Sequence, residues 1–294
     1  MFPRLYIHKM THQTKSTSVK LVATDLDGTL LKDDKSISTV DLNSLERLGE
    51  KGILRVAATG RSLYKVKEVL QLNAPFDYIV FSSGGGIFDW KKQQLLNSVQ
   101  FKSKSLSNLF AHLLSAKVNF YVFNPIPDNN RFCYHRGAGK CNEFDNYLKR
   151  HNGDYELLDI NHLPEKAGQF MAIIPNIEFL FEQLKSEFLS SISGIKVIRT
   201  TSPVDPDFIW VEIFPETVSK GDGIRWLCDQ IGIDYSSTAG VGNDFNDLDM
   251  LDFVEHPFIL GNSPSILQKK YTFIRATNNQ NGVSEVLRMI FPVL

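Results

Sequence analysis

The sequence predicts an α/β protein whose core is a Rossmann-like doubly wound parallel sheet with an α+β domain inserted into it. Near both ends of the chain, short apolar runs alternate with helix-patterned segments, an order typical of a parallel sheet with helices on its faces. Between these parts lies a long block with helices, strands and apolar residues of its own. The length of 294 residues fits two domains. We therefore expect a core of 19–87 and 207–294 and an inserted domain of 88–206.

The first part of the core opens with an apolar run at 19–24 that is typical of a buried strand. Ser38, with Asp41 three residues later, predicts a helix N-terminus, and Gly52 ends that helix. Two more buried strands are predicted on either side of the next helix, at 53–58 and 77–81. Strands joined by helices at this spacing pair in parallel, because each helix carries the chain back to the same end of the sheet.

The inserted block is predicted to begin with a small hairpin at 87–100 and then to mix helices and strands. The helix-patterned segments are 106–117, 140–150 and 177–188, and the strand-like runs are 118–123, 169–174 and 196–200. In the third helix, apolar residues recur at i, i+3, i+4, i+7 and i+11 from Ile177, which gives it one apolar face. The block therefore has the material for a core of its own.

The parallel-sheet pattern is predicted to resume after Asp207. The strands expected there are 208–214, 238–241, 258–260 and 271–274, and the helices are 219–231, 247–253 and 283–290. On this interpretation the segment 208–214 is a strand of the core sheet.

Composition excludes several classes of protein. The 32 basic and 33 acidic side chains give a formal charge of −1, which disfavours binding to nucleic acid or to an anionic membrane surface, since both need a basic face. No apolar run approaches the roughly 20 residues that cross a bilayer. Cys133, Cys141 and Cys228 form no CxxC pair and fit a reducing compartment, so we expect a cytoplasmic protein.

The first 18 residues differ from the rest, because they carry Arg4, Lys9 and Lys15 and no acidic residue. They lack the apolar segment of a secretory signal. We expect a flexible leader or a start that precedes Met10, with a transit peptide as the alternative.

Polar clusters follow predicted strands or begin helices at four places in the core: Asp25 with Asp27, Thr59, Lys220 and Asn243–Asp247. Ligands of an open parallel sheet bind at the carboxyl ends of its strands, so the four clusters can converge on one crevice. Together they supply two carboxylates, a hydroxyl, a lysine and a second acidic group. Such a set can hold a hard cation and a phosphoryl group.

This set suits phosphoryl transfer through an aspartyl phosphate. One carboxylate attacks phosphorus, and Mg²⁺ offsets the repulsion between the two anions. The second Asp protonates the leaving oxygen and then activates the hydrolytic water. Lys220 and Thr59 bind phosphoryl oxygens in this scheme.

Two other ligand loops are excluded by spacing. A calcium loop that started at Asp25 would need glycine at its sixth position, but Gly28 stands at the fourth, and Ser36 stands where a Glu is required. The glycines at 84–86 lack the GxxxxGK[ST] spacing of a phosphate-binding P-loop. Neither loop is expected here.

Four segments together resemble the four motifs of haloacid dehalogenase (HAD) superfamily phosphatases. They are DLDGTL at Asp25–Leu30, ATGRS at Ala58–Ser62, SKGDGI at Ser219–Ile224 and GNDFNDLDML at Gly242–Leu251. The match is closest to the Cof-type branch, which has a type II (C2B) cap between the second and third motifs. The resemblance covers residues 19–294 and implies that the inserted domain is a cap that closes over the crevice.

The resemblance also implies a role for each matching residue. Asp25 corresponds to the nucleophile and Asp27 to the acid/base. The phosphate-binding residues correspond to Thr59, the amide of Gly60, Lys220 and Asn246. The metal ligands correspond to Asp25, the backbone carbonyl of Asp27, and Asn243, Asp244 and Asp247 of the fourth motif. The presence of an acid at Asp27 favours a phosphatase or a mutase over a dehalogenase, because a halide leaves without a proton.

The fourth motif departs from the branch, which usually has Asp where this chain has Asn243. Either the Asn243 side-chain oxygen binds Mg²⁺, or Asp244 or Asp247 takes over. A neutral ligand weakens the affinity for a hard cation. We hypothesise that Asp247 is the principal acidic ligand of this motif.

The expected partner is a small phosphorylated metabolite. Sugar phosphates are the leading class, a phosphosugar mutase and a catalytically weak binding protein are the alternatives, and the oligomeric state stays open. The cap contains a mixture of basic and aromatic residues that suits either a sugar or a second anion, but that also suits ordinary packing. They are Arg131, His135, Arg136, Lys140, His151 and His162, with Phe120, Tyr121, Phe132, Tyr134 and Tyr147. A zinc site at Cys133, His135 and Cys141 is not expected, since a fourth ligand is missing.

Overall fold

The computed structural model describes residues 19–138, 140–151, 153–202 and 205–292, so the predicted leader lies outside the described residues. The strands are β1 (Leu21–Thr24), β2 (Leu54–Ala58), β3 (Tyr78–Phe81), β4 (Gly86–Asp89), β5 (Gln94–Ser98), β6 (Asn119–Phe123), β7 (Phe132–His135), β8 (Tyr155–Leu157), β9 (Gln169–Pro175), β10 (Ile195–Thr201), β11 (Phe208–Pro215), β12 (Thr238–Gly242), β13 (His256–Ile259) and β14 (Thr272–Phe273). The helices are α1 (Thr39–Glu50), α2 (Leu63–Val69), α3 (Ser103–Ser115), α4 (Asn142–Arg150), α5 (Glu178–Gln183, continued by a π-helical segment to Leu189), α6 (Lys220–Ile231), α7 (Leu248–Phe253), α8 (Ser265–Gln268) and α9 (Gly282–Ile290).

One sheet has the strand order β14-β13-β12-β1-β2-β3-β4-β5. Strand β1 lies inside it and pairs in parallel with β2 on one side and with β12 on the other. The chain first builds outward through β2 and β3 and later returns to β12, β13 and β14 on the opposite side, which confirms the doubly wound α/β fold. Asp25, directly after β1, therefore lies at the point where the strand order reverses, the usual place for a ligand.

The second sheet has the order β10-β11-β9-β6-β7-β8 and is antiparallel except for the β7–β8 pair. It contains β11, so the prediction that 208–214 is a strand of the parallel sheet is wrong. The burial of β11 gives the physical reason. Val211 and its neighbours at alternate positions are buried, whereas Trp210 and Glu212 are only half-buried. Such alternation is typical of an antiparallel strand with two unlike faces, whereas β1 is buried at all its residues.

The hairpin predicted at 87–100 exists as β4 and β5, but its strands extend the parallel sheet rather than the second one. A short 3-10 turn at Ser82–Gly84 reverses the chain after β3, so that β4 pairs with β3 antiparallel. The core sheet thus continues to Ser98, beyond the boundary expected at residue 87. The connection to the second sheet begins only after β5.

Both faces of the core sheet are covered by helices. Val22 and Ala57 point toward α1 and α9, whereas Leu21 and Ala23 point toward α6 and α7. Helix α1 begins as predicted, since the Ser38 hydroxyl accepts a hydrogen bond from the Asp41 amide at 3.0 Å. No helix in the described part of the chain is long and apolar enough to cross a membrane.

A close approach of two backbone segments positions the start of α6. Gly84 has φ +99°, and a Cβ atom at this residue would lie 2.0 Å from the backbone oxygen of Ser219. Only glycine permits this contact. The Ser219 hydroxyl caps α6 by accepting a hydrogen bond from the Asp222 amide at 3.0 Å, so Lys220 is the first residue of the helix.

Candidate active site

The predicted site residues lie at one edge of the core sheet. Asp25 follows β1 and its amide donates to the Val241 carbonyl of β12 at 2.9 Å. Thr59 directly follows β2, and Asn243 directly follows β12. Since these strands are parallel, their carboxyl ends meet at the same edge.

Lys220 joins two of the four motifs. Its Nζ lies 2.7 Å from Oδ1 of Asp25 and 2.7 Å from Oδ1 of Asp247. All three side chains are almost completely buried. A buried ammonium between two carboxylates fixes their positions, since removing it would leave both carboxylates uncompensated away from water.

Burial and opposing charges act on this group in different directions. Burial, with the neighbouring charge of Asp247, raises the pKa of Asp25 to about 7, although Lys220 lowers it. Burial lowers the pKa of Lys220, but the two carboxylates outweigh burial and raise it overall. The site therefore carries more negative charge than one lysine neutralises, and a further cation would stabilise it.

Asp27 is held by two basic side chains. Arg61 donates from Nε to Oδ2 at 2.5 Å and from Nη2 to Oδ1 at 2.7 Å, and Lys35 donates to Oδ1 at 3.1 Å. Burial raises the pKa of Asp27, but these bonds outweigh it and hold the pKa below its ordinary value. These bonds fix the direction of the Asp27 carboxyl group and favour its ionised form, so Asp27 must take up a proton before it can act as a general acid.

Thr59 lies beside this pair. Its hydroxyl accepts from the Arg61 amide at 3.1 Å, and its own amide donates to the Val80 carbonyl at 2.8 Å. The neighbouring Gly60 is exposed, and a Cβ atom there would lie 3.5 Å from the Ser83 hydroxyl oxygen. The turn after β2 thus presents a hydroxyl and a small residue at the strand end.

Asp247 organises the fourth motif. Its Oδ2 accepts from the amides of Asn243 at 2.8 Å and Asp244 at 3.1 Å, while its Oδ1 accepts from Lys220. Asp244 accepts from the Phe245 amide at 2.7 Å, and burial raises the pKa of Asp244. Asp247 is thus connected to Asp25 through Lys220. The Asp244 carboxylate bonds to an amide of its own turn.

The other two polar residues of this motif lie nearer the surface. Asn243 accepts from the Thr29 hydroxyl at 3.1 Å, which ties the fourth motif to the first. Gly28 has φ +77°, and a Cβ atom there would lie 2.5 Å from Nδ2 of Asn243, so the approach needs glycine. Asn246 lies in the 3-10 turn Phe245–Asp247 and is half-buried.

The donors at this edge of the sheet fit Mg²⁺. Asp25 and Asp247 supply two buried carboxylates, and oxygen is the donor that Mg²⁺ prefers. No three Asp, Glu, His or Cys side chains converge on one metal position within the described residues. Mg²⁺ tolerates this, because it is usually held by one or two carboxylates and keeps several waters.

Two residues that hold Asp27 escaped the sequence reasoning. Arg61 belongs to the ATGRS segment, so its place beside Thr59 was a signal for a role next to the first motif. Lys35 lies in a turn with φ +66° and carried no comparable signal. The DLDGTL motif alone therefore did not reveal which side chains hold the carboxylate of Asp27.

Much of the cap's basic and aromatic set takes part in packing or surface pairs. Tyr121 stacks on Phe144 with ring centroids 4.4 Å apart. Arg136 pairs with Asp145 at 2.6 Å, and the exposed His162 bonds to Asp159 at 2.8 Å. These residues behave as the packing interpretation predicts.

The chain is similar to known proteins over most of its length. The model of the haloacid dehalogenase-like hydrolase family matches residues 22–287. The 5-amino-6-(5-phospho-D-ribitylamino)uracil phosphatase YwtE of Bacillus subtilis is 27% identical over 285 residues, which cover 90% of this chain and 96% of that protein.

Two solved structures are similar in fold. The phosphatase BT1666 from Bacteroides thetaiotaomicron superposes with a TM-score of 0.75 at 17% identity and covers 94% of this chain and 97% of its own. The HAD subclass IIB sugar phosphatase BT4131 superposes with a TM-score of 0.70 at 18% identity and covers 94% of this chain and 100% of its own. The family match spans both sheets and all four motifs. The chain belongs to the haloacid dehalogenase-like hydrolase family, and it is a phosphatase of that superfamily.

Proposed function

We propose that this phosphatase is Mg²⁺-dependent and hydrolyses small phosphorylated metabolites, sugar phosphates in particular, through an aspartyl-phosphate intermediate. The observation that carries the proposal is the link from Asp25 through Lys220 to Asp247, 2.7 Å on either side, next to an Asp27 gripped by Arg61. Asp25, Lys220 and Asp247 thereby lie together at the carboxyl edge of the core sheet.

The chemistry balances with these residues. An oxygen of Asp25 forms a bond to phosphorus while the ester bond to the leaving alcohol breaks, and Asp27 gives that alcohol its proton. Water then loses a proton to Asp27 and attacks phosphorus, so that inorganic phosphate leaves and Asp25 is restored. Lys220, Thr59, the amide of Gly60 and Asn246 hold phosphoryl oxygens.

The proposed metal ligands are Asp25, the backbone carbonyl of Asp27 and residues of the fourth motif. Within that motif Asp247 is our principal acidic ligand, with Asn243 and Asp244 as the other candidates. Mg²⁺ held by these residues would supply positive charge that offsets the repulsion between the attacking carboxylate and the phosphoryl group.

The names of two similar proteins support a polyhydroxylated substrate. YwtE acts on a phosphorylated ribitylamino compound, and BT4131 is a sugar phosphatase. Both leaving groups bear several hydroxyls. A small phosphorylated metabolite with such a carbon chain is therefore the substrate class we infer.

The test is a phosphate-release screen over phosphorylated metabolites with Mg²⁺ present. Asp25→Asn serves as the blank, and Asp154→Asn, an exposed residue of the second sheet's domain, is the matched control. We expect release by the unchanged chain and the control, and none by Asp25→Asn or in EDTA. Equal release by the unchanged chain and the blank would contradict the proposal. Isomerisation of hexose phosphates with little net release would favour a mutase instead.

A further inference from the structure

The second sheet has one covered face and one face that is only partly covered. Helices α3 and α5 pack on the covered face. On the other, Glu212 of β11 stands opposite Ile198 of β10, and opposite residues of an antiparallel pair point to the same side. Phe144 of α4 covers the far end of this face. The remainder, here named the open face, consists of Lys196, Ile198, Thr200, Glu212 and Gln169.

The open face lies beside the candidate active site. Nζ of Lys196 pairs with Oδ2 of Asp249 at 2.9 Å, and Asp249 lies within the fourth-motif segment, two residues after Asp247. Burial raises the pKa of Glu212 above its ordinary value, although bonds from Thr200 and Gln169 and the charge of Lys220 partly offset this. Lys220 acts on Glu212 in this way only because the two charges are near each other. The open face therefore stands next to the strand ends that carry Asp25.

Glu212 is fixed by two neutral donors. Gln169 donates from Nε2 to Oε1 at 2.8 Å, and Thr200 donates from its hydroxyl to Oε2 at 2.8 Å. The residue is half-buried, and both of its side-chain oxygens lie within hydrogen-bond distance of these donors. A carboxylate has about four acceptor positions, so each oxygen of Glu212 retains one for a ligand.

The charge of the open face is unfavourable to anions. Across β9, β10 and β11, as far as their side chains are described, Lys196 is the one basic residue on this face, and it is already paired with Asp249. Arg199 points to the opposite face, where its guanidinium lies 5.7 Å from the ring centre of Phe181. Among the described side chains of these three strands, no unpaired basic residue on this face is left to balance a second phosphate or carboxylate near Glu212.

We propose that Glu212, held in place by Gln169 and Thr200, determines the specificity of this phosphatase. It accepts hydrogen bonds from hydroxyls of the leaving alcohol and rejects leaving groups that bear a second phosphate or a carboxylate. The substrate class is then a neutral polyhydroxylated alcohol with a single phosphate. This inference rests on the proposed function, because it requires the phosphate to lie at Asp25.

The test measures binding and turnover with two related ligands, glucose 6-phosphate and glucose 1,6-bisphosphate. Binding is measured by calorimetry with Mg²⁺ in the Asp25→Asn chain, which keeps the ligand intact, and kcat/KM is measured in the active chain. We expect the monophosphate to bind at least about tenfold more tightly than the bisphosphate. Glu212→Gln should lower this ratio at least about fivefold, because it removes the charge and keeps the shape.

Glu216→Gln is the matched control, because it removes the same charge from an exposed side chain just beyond β11. It should keep the ratio of the unchanged chain. Thr200→Val is the second variant, and it removes one hydrogen-bond donor to Glu212. It should also lower the ratio of monophosphate to bisphosphate affinity, but by less than Glu212→Gln does. If Glu212→Gln fails to fold, Thr200→Val decides the question.

The outcomes separate this inference from the proposed function. Turnover with a ratio that neither Glu212→Gln nor Thr200→Val changes overturns the role of Glu212 and leaves the phosphatase proposal standing. A shifted binding ratio in a chain that releases no phosphate supports the role of Glu212 and overturns the proposed chemistry. Tighter binding of the bisphosphate by the unchanged chain also overturns the inference.

Discussion

Arg61 donates two hydrogen bonds to the carboxylate of Asp27, of 2.5 and 2.7 Å, one to each oxygen. The pair joins the turn after β2 to the turn after β1. Because Asp27 is the acid/base of the proposed mechanism, its partner controls both the direction and the protonation of that carboxyl group. Arg61 is therefore a positioning residue in our proposal.

Replacing Arg61 should move the pH dependence of the enzyme. In Arg61→Ala the bonds and charge of Arg61 are lost, only those of Lys35 remain, and burial still raises the pKa of Asp27, so the pKa rises. A general acid then stays protonated to higher pH, and the alkaline limb of kcat/KM for an alkyl phosphate moves upward. Misplacement of Asp27 should also lower kcat about 100-fold.

The measurement compares an alkyl phosphate with p-nitrophenyl phosphate, whose leaving group needs no proton. The limb should move only for the alkyl ester. Arg47→Ala, an exposed change on α1, is the control. An unmoved alkaline limb in Arg61→Ala would show that Arg61 does not set the protonation of Asp27.

Asp25→Asn should stabilise the metal-free protein while it abolishes turnover. The pKa of Asp25 is raised from 3.8 to about 7, first by burial. Between these values the folded chain binds more protons than the unfolded chain, so stability falls as pH rises. Asn at position 25 does not ionise, so the variant avoids this loss of stability at high pH. Its free energy of unfolding at pH 8 should therefore exceed that of the unchanged chain by at least about 1 kcal/mol. Urea unfolding in EDTA at pH 8 and at pH 3.5 checks this. A variant less stable than the unchanged chain at pH 8 would contradict it.

Asn243→Asp should tighten Mg²⁺ binding. The substitution adds a carboxylate of nearly the same shape, and the Thr29 hydroxyl that bonds the Asn243 oxygen can bond it equally well. Affinity for a hard cation rises with the charge of its ligands, so the half-saturating Mg²⁺ concentration should fall about fivefold. Activity titrated with Mg²⁺ measures this. An unchanged or higher requirement would place Asn243 outside the metal site.

Asp247→Asn and Asp244→Asn distinguish the two acidic candidates of the fourth motif. Asp247 is connected to Asp25 through Lys220, whereas Asp244 bonds within its own turn. We expect Asp247→Asn to raise the half-saturating Mg²⁺ concentration at least about tenfold, and Asp244→Asn to raise it by much less. Circular dichroism must show both variants folded. The reverse order would make Asp244 the ligand.

Asp77→Asn should weaken the fold at a distance from the chemistry. Its carboxylate accepts from Nε of Arg55 at 2.9 Å, and both side chains are buried. Burial raises the pKa of Asp77, but Arg55 and Lys91 outweigh it and lower the pKa below 3.8. Its stabilisation is present above pH 3.8 and is lost as the pH falls through the lowered value.

Since Asn leaves the buried Arg55 unpaired, the free energy of unfolding at pH 7 should fall by about 3 kcal/mol. The loss should shrink when urea unfolding is repeated near pH 3. Asp229→Asn, an exposed change on α6, is the control. A loss as large at pH 3 as at pH 7 would mean that the ion pair is not its cause.

The sequence predicted the local parts of the fold well and the long-range pairings less well. The cap of α1 at Ser38 and the start of α6 after Ser219 follow from neighbouring residues, and both were predicted. The sheet to which β11 belongs depends on strands far away in sequence. The alternation of buried Val211 with half-buried Trp210 and Glu212 is seen only in the structure, because in the sequence Trp210 is as apolar as its neighbours.

The candidate site was predicted as far as its motifs extend. Order along the chain placed Asp25, Thr59 and the segment 243–247 after strands and Lys220 at the start of a helix, and parallel strands bring their carboxyl ends together. The open face with Glu212 was not predicted, since a half-buried Glu on a strand has no motif around it. Only the register with β10 shows which way that side chain points.

The short connection between β11 and α6 works as a spacer. Strand β11, which carries Glu212, ends at Pro215, and the helix that carries Lys220 is capped by Ser219. Val218 in the connection is fully buried, which anchors it. In our proposal, the length of this connection sets the span between Glu212, which meets the leaving alcohol, and Lys220, which binds a phosphoryl oxygen. Relatives that gain or lose a residue at this point should accept substrates of a different length.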